Sequence, residues 1–124
     1  MAETGVALSG DSDDNAVLLR GRVSTAPSVR ELPSGAHIIT FRVSVPRART
    51  VMTAGSRQGI DWVDCTAWGA KVRRTVAGWV VGDRVEVTGS LRRRFYVAGA
   101  GRSTRLEVEV LAARRAAAPN GGVP

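Results

Sequence analysis

Lysine is nearly missing from this chain: Lys71 stands alone among eighteen basic residues, and the rest are arginines. Arginine offers a planar fork to phosphates and stacks on flat rings, which lysine does less well. Histidine and cysteine also occur once each, as His37 and Cys65. One cysteine excludes an internal disulfide, and alternation places Cys65 on the inward face of a strand, where a small buried thiol fits. His37 falls at a strand edge with no nearby partner for acid–base work. Asp61 and Asp64 lie close together, but nothing joins them into a metal site or a nucleophile with an oriented base. An enzyme is therefore not expected, and no catalytic residue, metal or cofactor is assigned. No apolar run reaches the roughly 18–20 residues of a membrane span. The N-terminus lacks the basic-then-apolar order of a signal peptide, so a cytoplasmic protein without membrane contact is expected.

Aromatics are scarce too, at 5% of 124 residues, which makes the placement of two of the three tryptophans conspicuous. Both lie in the stretch Ile60–Gly69 (IDWVDCTAWG), whose β-branched and aromatic content favours a strand. Alternation puts Val63, Cys65 and Ala67 on one face and Trp62, Asp64, Thr66 and Trp68 on the other. Six residues at about 3.3 Å each separate the indoles by roughly 20 Å. That suits a flat platform for an extended polymer; the competing expectation is that a strand, helix or subunit covers both rings.

The length suits one domain with one modest core. The formal net charge is +7, and nucleic acid is the most economical partner for such an excess. Residues 1–14 hold Glu3, Asp11, Asp13 and Asp14 with no basic residue, and are expected to form a disordered acidic arm. Without those four acids, the remainder carries +11.

Along that remainder, Val17, Leu19, Gly21 and Val23 alternate with Leu18, Arg20 and Arg22, the pattern of a strand with a basic face. Gly21 suggests a bulge or bend. Pro27, Pro33, Ser34 and Gly35 mark a turn. Ile39, Phe41, Val43 and Val45 then alternate with Thr40, Arg42 and Ser44. Residues 46–59, with Arg47, Arg49 and Arg57, read as a long mobile loop of functional type. After the tryptophan strand the period changes: Val72, Val76, Trp79 and Val80 form one helical stripe over 70–80, so Trp79 is expected in the core. Val85, Val87, Gly89 and Leu91 alternate with Arg84, Glu86 and Thr88 in the next strand. Arg92-Arg93-Arg94-Phe95-Tyr96 follows, in a hairpin with its tip near 98–101. Leu106, Val108 and Val110 are expected inward in the last strand, with Glu107 and Glu109 outward. Residues 114–124 are expected to be a flexible tail.

Five strands with a helix between the third and fourth, and a long hairpin arm between the fourth and fifth, predict an all-β OB-fold, a five-stranded Greek-key barrel. Basic residues interleaved with aromatics suit single strands, since charge follows the phosphates while rings stack on bases. The segments VLLRGRV (17–23), APSVRELPSG (26–35), ITFRVSV (39–45), WVDCTAWG (62–69), GDRVEVTGSL (82–91) and LEVEV (106–110) together resemble the bacterial single-stranded DNA-binding proteins over about residues 15–113.

The resemblance implies binding of single-stranded DNA without catalysis, wrapping on a homotetramer, and service to replication, recombination and repair on the nucleoid. By position, Trp62 and Trp68 match the family's stacking aromatics, and Tyr96 matches the aromatic after the arginine run. Arg20, Arg22, Arg42, Arg92 and Arg94 are the expected backbone contacts. Arg49 stands where some members carry a further stacking tryptophan, so it joins them as a charged substitute. Asp64 departs from the pattern by placing an acid between the indoles. The chain ends Gly121-Gly122-Val123-Pro124 instead of in an acidic, phenylalanine-ended tip, so recruitment of partners through such a tip is not expected. The alternative is an OB-fold primosomal adaptor or RNA-binding module whose exposed aromatics form a protein interface.

Overall fold

The computed structural model describes residues 13–116; the rest of the expected acidic arm and most of the expected tail lie outside the described residues. The element order is β1 (Val17–Glu31), β2 (His37–Pro46), β3 (Ile60–Ala67), α1 (Ala70–Val76), β4 (Arg84–Ala98) and β5 (Gly101–Arg115). The strands close into a barrel in the order β1-β2-β3-β5-β4. All pairings are antiparallel except β3 with β5. This is the OB arrangement that the strand and helix order predicts.

Alternation fills the barrel. Val23 from β1, Ile39, Phe41 and Val43 from β2, Cys65 and Ala67 from β3, Val85 and Val87 from β4, and Val108 and Val110 from β5 meet inside. Val76 of α1 and Trp79 complete that core, and Trp79 meets Phe41 edge to face with ring centroids 5.4 Å apart.

Two glycines sit where a neighbouring backbone approaches closely. A Cβ on Gly21 would run into the carbonyl of Ser44, and one on Gly89 into that of Glu109. At Gly21 and Arg22, β1 passes from its ladder with β4 to its ladder with β2, so a bare backbone is needed there. Gly89 lies at the register shift Thr88/Gly89, whereas the shifts of β1 lie past Gly21, between Val23 and Ser28.

Several expectations need correction. Pro27 is inside β1, at the register shift between Thr25 and Ser28, where a residue without an N–H breaks no ladder bond. The turn itself is carried by residues 33–35. The helix stops at Val76, with Ala77 as its C-cap, and Val80, expected on its stripe, is 59% exposed. Leu106, expected inward, is exposed, as is Leu91 of the alternating set of β4, because the β4–β5 ribbon outruns the barrel. β5 also continues through Arg114 and Arg115, the first two residues of the expected tail. Loop 47–59 is tied at its neck by the Arg47 N–H donating to the Gly59 carbonyl at 2.8 Å, and hydrogen bonds between Thr50 and Thr53 stiffen its tip.

Candidate nucleic-acid interface

The register of β2 against β3 builds one outer wall. Thr40 faces Thr66, Arg42 faces Asp64, and Ser44 faces Trp62 across the ladder. Side chains opposite each other in a ladder share a face. Trp62 is 55% exposed, and the Arg42 guanidinium carbon sits 4.1 Å from its ring centroid. Arg42 Nε donates to Asp64 Oδ1 at 2.7 Å, so Asp64 holds the cation over the indole. Trp68, 41% exposed, follows β3 directly, and Arg73 Nε donates to its carbonyl at 3.0 Å. Its neighbours Arg92, Arg93, Arg94, Glu107 and Glu109 line with it a concavity of about 290 Å³.

A second groove, of about 330 Å³, runs over the outer face of β1, β2 and β3 between Arg30, Thr40, Arg42, Asp64 and Arg105. Its floor includes Cys65, whose thiol pKa burial pushes up to about 12, with Asp64 and Glu107 adding to the rise. A thiol so held stays protonated and unreactive at neutral pH. Tyr96 projects from the arm on the same side, with Arg105 5.7 Å from its ring centroid. Among the described residues, no group of three or more His, Cys, Asp or Glu side chains is placed to hold a metal ion.

The expected arginines divide into groups. Arg42, Arg92 and Arg94 lie along the tryptophans, each paired with a carboxylate: Asp64, Glu109 and Glu107, at 2.7, 3.0 and 2.8 Å. Arg20 is tied to Glu86 at 2.6 Å, and Arg114 shares that carboxylate at 3.0 Å. The hydrogen bond from Arg20 comes first among the causes that hold the Glu86 carboxyl below its ordinary range. Arg22 donates to the Gly82 carbonyl at 3.0 Å. Arg49 is exposed in loop 47–59 without a carboxylate partner among the described residues.

Alternation did not single out several exposed arginines, of which Arg30 and Arg105 line the second groove. Arg30, Arg57, Arg102 and Arg105 are exposed on the loops and hairpins and, like Arg49, lack carboxylate partners among the described residues. Arg30, Arg57 and Arg102 lie near turns or loops, whereas Arg105 stands within β5 opposite Arg94. Glu107, expected to face outward, is nonetheless only 3% exposed. It does face outward, as its alternation says, but the arm covers it.

A closed five-stranded barrel with one short helix between its third and fourth strands is an OB-fold, and its outer wall here carries exposed tryptophans and arginine pairs. The single-strand binding protein family model matches residues 14–115, and the chain belongs to that family. It is 32% identical over 82 residues to single-stranded DNA-binding protein A of Bacillus subtilis, covering 66% of this chain and 46% of that relative. The chain thus spans about half the length of that curated relative. The fold is similar to a solved Plasmodium falciparum SSB complex with ssDNA, with a TM-score of 0.64 and 21% identity over 82% of this chain and 90% of that one.

Proposed function

We propose that this protein binds single-stranded DNA with little sequence preference and without catalysis, serving replication, recombination and repair. The observation that carries the proposal is the outer wall, where Trp62 and Trp68 are both exposed on one face and bordered by arginines. Rings of that kind accept any base, because every base has a π-face, and the cations beside them follow the phosphates. Trp62, Trp68 and Tyr96 act as stacking platforms. Arg42, Arg92 and Arg94 flank them, and Arg49 reaches from its loop. Arg20 and Arg22 have weaker geometric support as backbone contacts, since Glu86 and the Gly82 carbonyl already engage them. Membership of the family, and a relative and a structural neighbour whose names refer to single-stranded DNA, support the same function.

The proposed assembly is a homotetramer acting on the nucleoid in the cytoplasm. No helix among the described residues is long and apolar enough to cross a membrane. Single-tryptophan variants test the stacking part. Oligo(dT) should quench emission of the Trp62-only and Trp68-only proteins and leave the Trp79-only protein unchanged, since Trp79 is buried in the core. Unquenched Trp62 and Trp68 in folded protein would reject the platform, and a mass measurement of the assembly tests the tetramer. Stronger binding of RNA than of DNA oligomers would favour the RNA-binding alternative.

A further inference from the structure

Glu107 is the one charged side chain buried among the described residues. Its Oε1 accepts a hydrogen bond from Thr66 Oγ1 at 2.7 Å and another from Arg94 Nε at 2.8 Å. Thr66 is itself buried on β3, while Arg94 belongs to the β4–β5 ribbon. One carboxylate thus joins the middle of the outer wall to the arm. It also lines both the Trp68 concavity and the groove over β1, β2 and β3, and no other residue lines both.

The arm needs such a tie. The ladder of β4 with β1 ends at Gly89, and that of β5 with β3 starts at Val108. Beyond those points the two strands pair only with each other, and an isolated two-stranded ribbon is marginal in water. On the arm's face toward the groove, Arg94 and Arg105 are opposite one another and Tyr96 lies beside Arg105. Arg94, Tyr96 and Arg105 also surround the buried Ile38 of β2 in a concavity of about 220 Å³. The pitch of this ribbon over the barrel decides where Tyr96 and Arg105 stand.

We infer that Glu107 is a positioning residue for DNA binding: its bonds to Thr66 and Arg94 aim the arm, and with it Tyr96, at the groove. This rests on the single-stranded DNA reading above. A buried carboxylate between a hydroxyl and a guanidinium makes charge-assisted bonds, roughly twice as strong as neutral ones, so Glu107→Gln keeps the shape and weakens the tie.

Hydrogen exchange on the free protein is the first measurement. In Glu107→Gln the amides of residues 93–104 should exchange about fivefold faster or more, while those of β2 and β3 keep their rates. The second is affinity for oligo(dT), expected to fall up to about tenfold, within the range of one stacked ring. That loss should shrink when Tyr96→Ala is already present, because the misplacement of Tyr96 then no longer counts. Unchanged exchange in the arm, or an equal affinity loss with and without Tyr96, would overturn the assignment. If Glu107→Gln does not fold, Thr66→Val, which removes the β3 half of the tie, carries the same two readouts. Failure of the wild-type protein to bind oligo(dT) would instead reject the function, and arm exchange measured without DNA would still decide the role of Glu107.

Discussion

The arginines of the outer wall and those of its rim share a chemistry and differ in their company. On the wall, Arg42, Arg92 and Arg94 each touch a carboxylate; on the rim, Arg30, Arg49, Arg57, Arg102 and Arg105 have none among the described residues. A paired cation brings little net charge to an approaching phosphate, whereas an unpaired one brings all of it. The wall is thus suited to holding flat groups in place, and the rim to supplying long-range attraction. The wall pairs at Arg42 and Arg92 are partly solvated, and an exposed ion pair is worth only about 0–1 kcal/mol, so a phosphate can replace the carboxylate at small cost.

The largest effect that this division predicts is on stacking. Trp62→Ala and Trp68→Ala should each weaken oligo(dT) binding by about 1–3 kcal/mol, roughly 5- to 150-fold, in a fluorescence or filter titration. Affinity unchanged within about twofold in either variant, with assembly intact, would turn the wall into a protein interface.

Next come the rim cations. Log K should fall linearly with log[salt], and each neutralised phosphate on a single strand contributes a slope of about −0.7. Arg30→Ala and Arg105→Ala should each make the slope shallower by up to about that amount, and Arg92→Ala by less, because Glu109 already screens Arg92. Equal slope changes at rim and wall would erase the distinction.

How far the sequence discloses this division follows from what alternation can encode. Period two correctly turns Trp62, Arg42 and Asp64 outward and sends Phe41, Val43 and Cys65 inward. It says nothing about lateral neighbours, which depend on register between distant strands. Asp64 reads as an obstacle to phosphate until the ladder shows it opposite Arg42, 22 residues away. Glu86 and Arg20 are 66 residues apart, and Thr66 and Glu107 are 41. Leu91 and Leu106 keep the alternation, yet they lie where the ribbon has left the barrel, and a strand's pattern does not mark where its partners end.

A smaller effect, opposite in sign, tests the wall from the other side. Asp64→Asn removes the charge that holds Arg42 over Trp62 and leaves that cation uncompensated. Oligo(dT) binding should tighten by a few-fold at low salt, about 1 kcal/mol or less as befits an exposed pair, and the gain should fade as salt rises. Weaker binding at every salt concentration would show that Asp64 positions Arg42 and that this outweighs its screening.

The smallest effect belongs to Arg20, held by Glu86 together with Arg114. Arg20→Ala should leave oligo(dT) affinity within about twofold, a shift of about 0.4 kcal/mol. Its signature lies instead in acid stability. The hydrogen bond from Arg20 leads the causes that hold the folded-state Glu86 pKa below the ordinary 4.5, with Arg114 adding to it. The unfolded chain therefore binds the proton more readily, so the stabilisation is present above pH 4.5 and is lost as pH falls through the folded value. Removing Arg20 should shrink that loss: the wild-type and Arg20→Ala melting curves should differ most near neutral pH and converge in acid. Parallel curves at all pH values would mean that Arg20 acts on stability through packing of its stem rather than through the carboxylate. A large loss of DNA affinity would move Arg20 into the binding surface, beside the tryptophans.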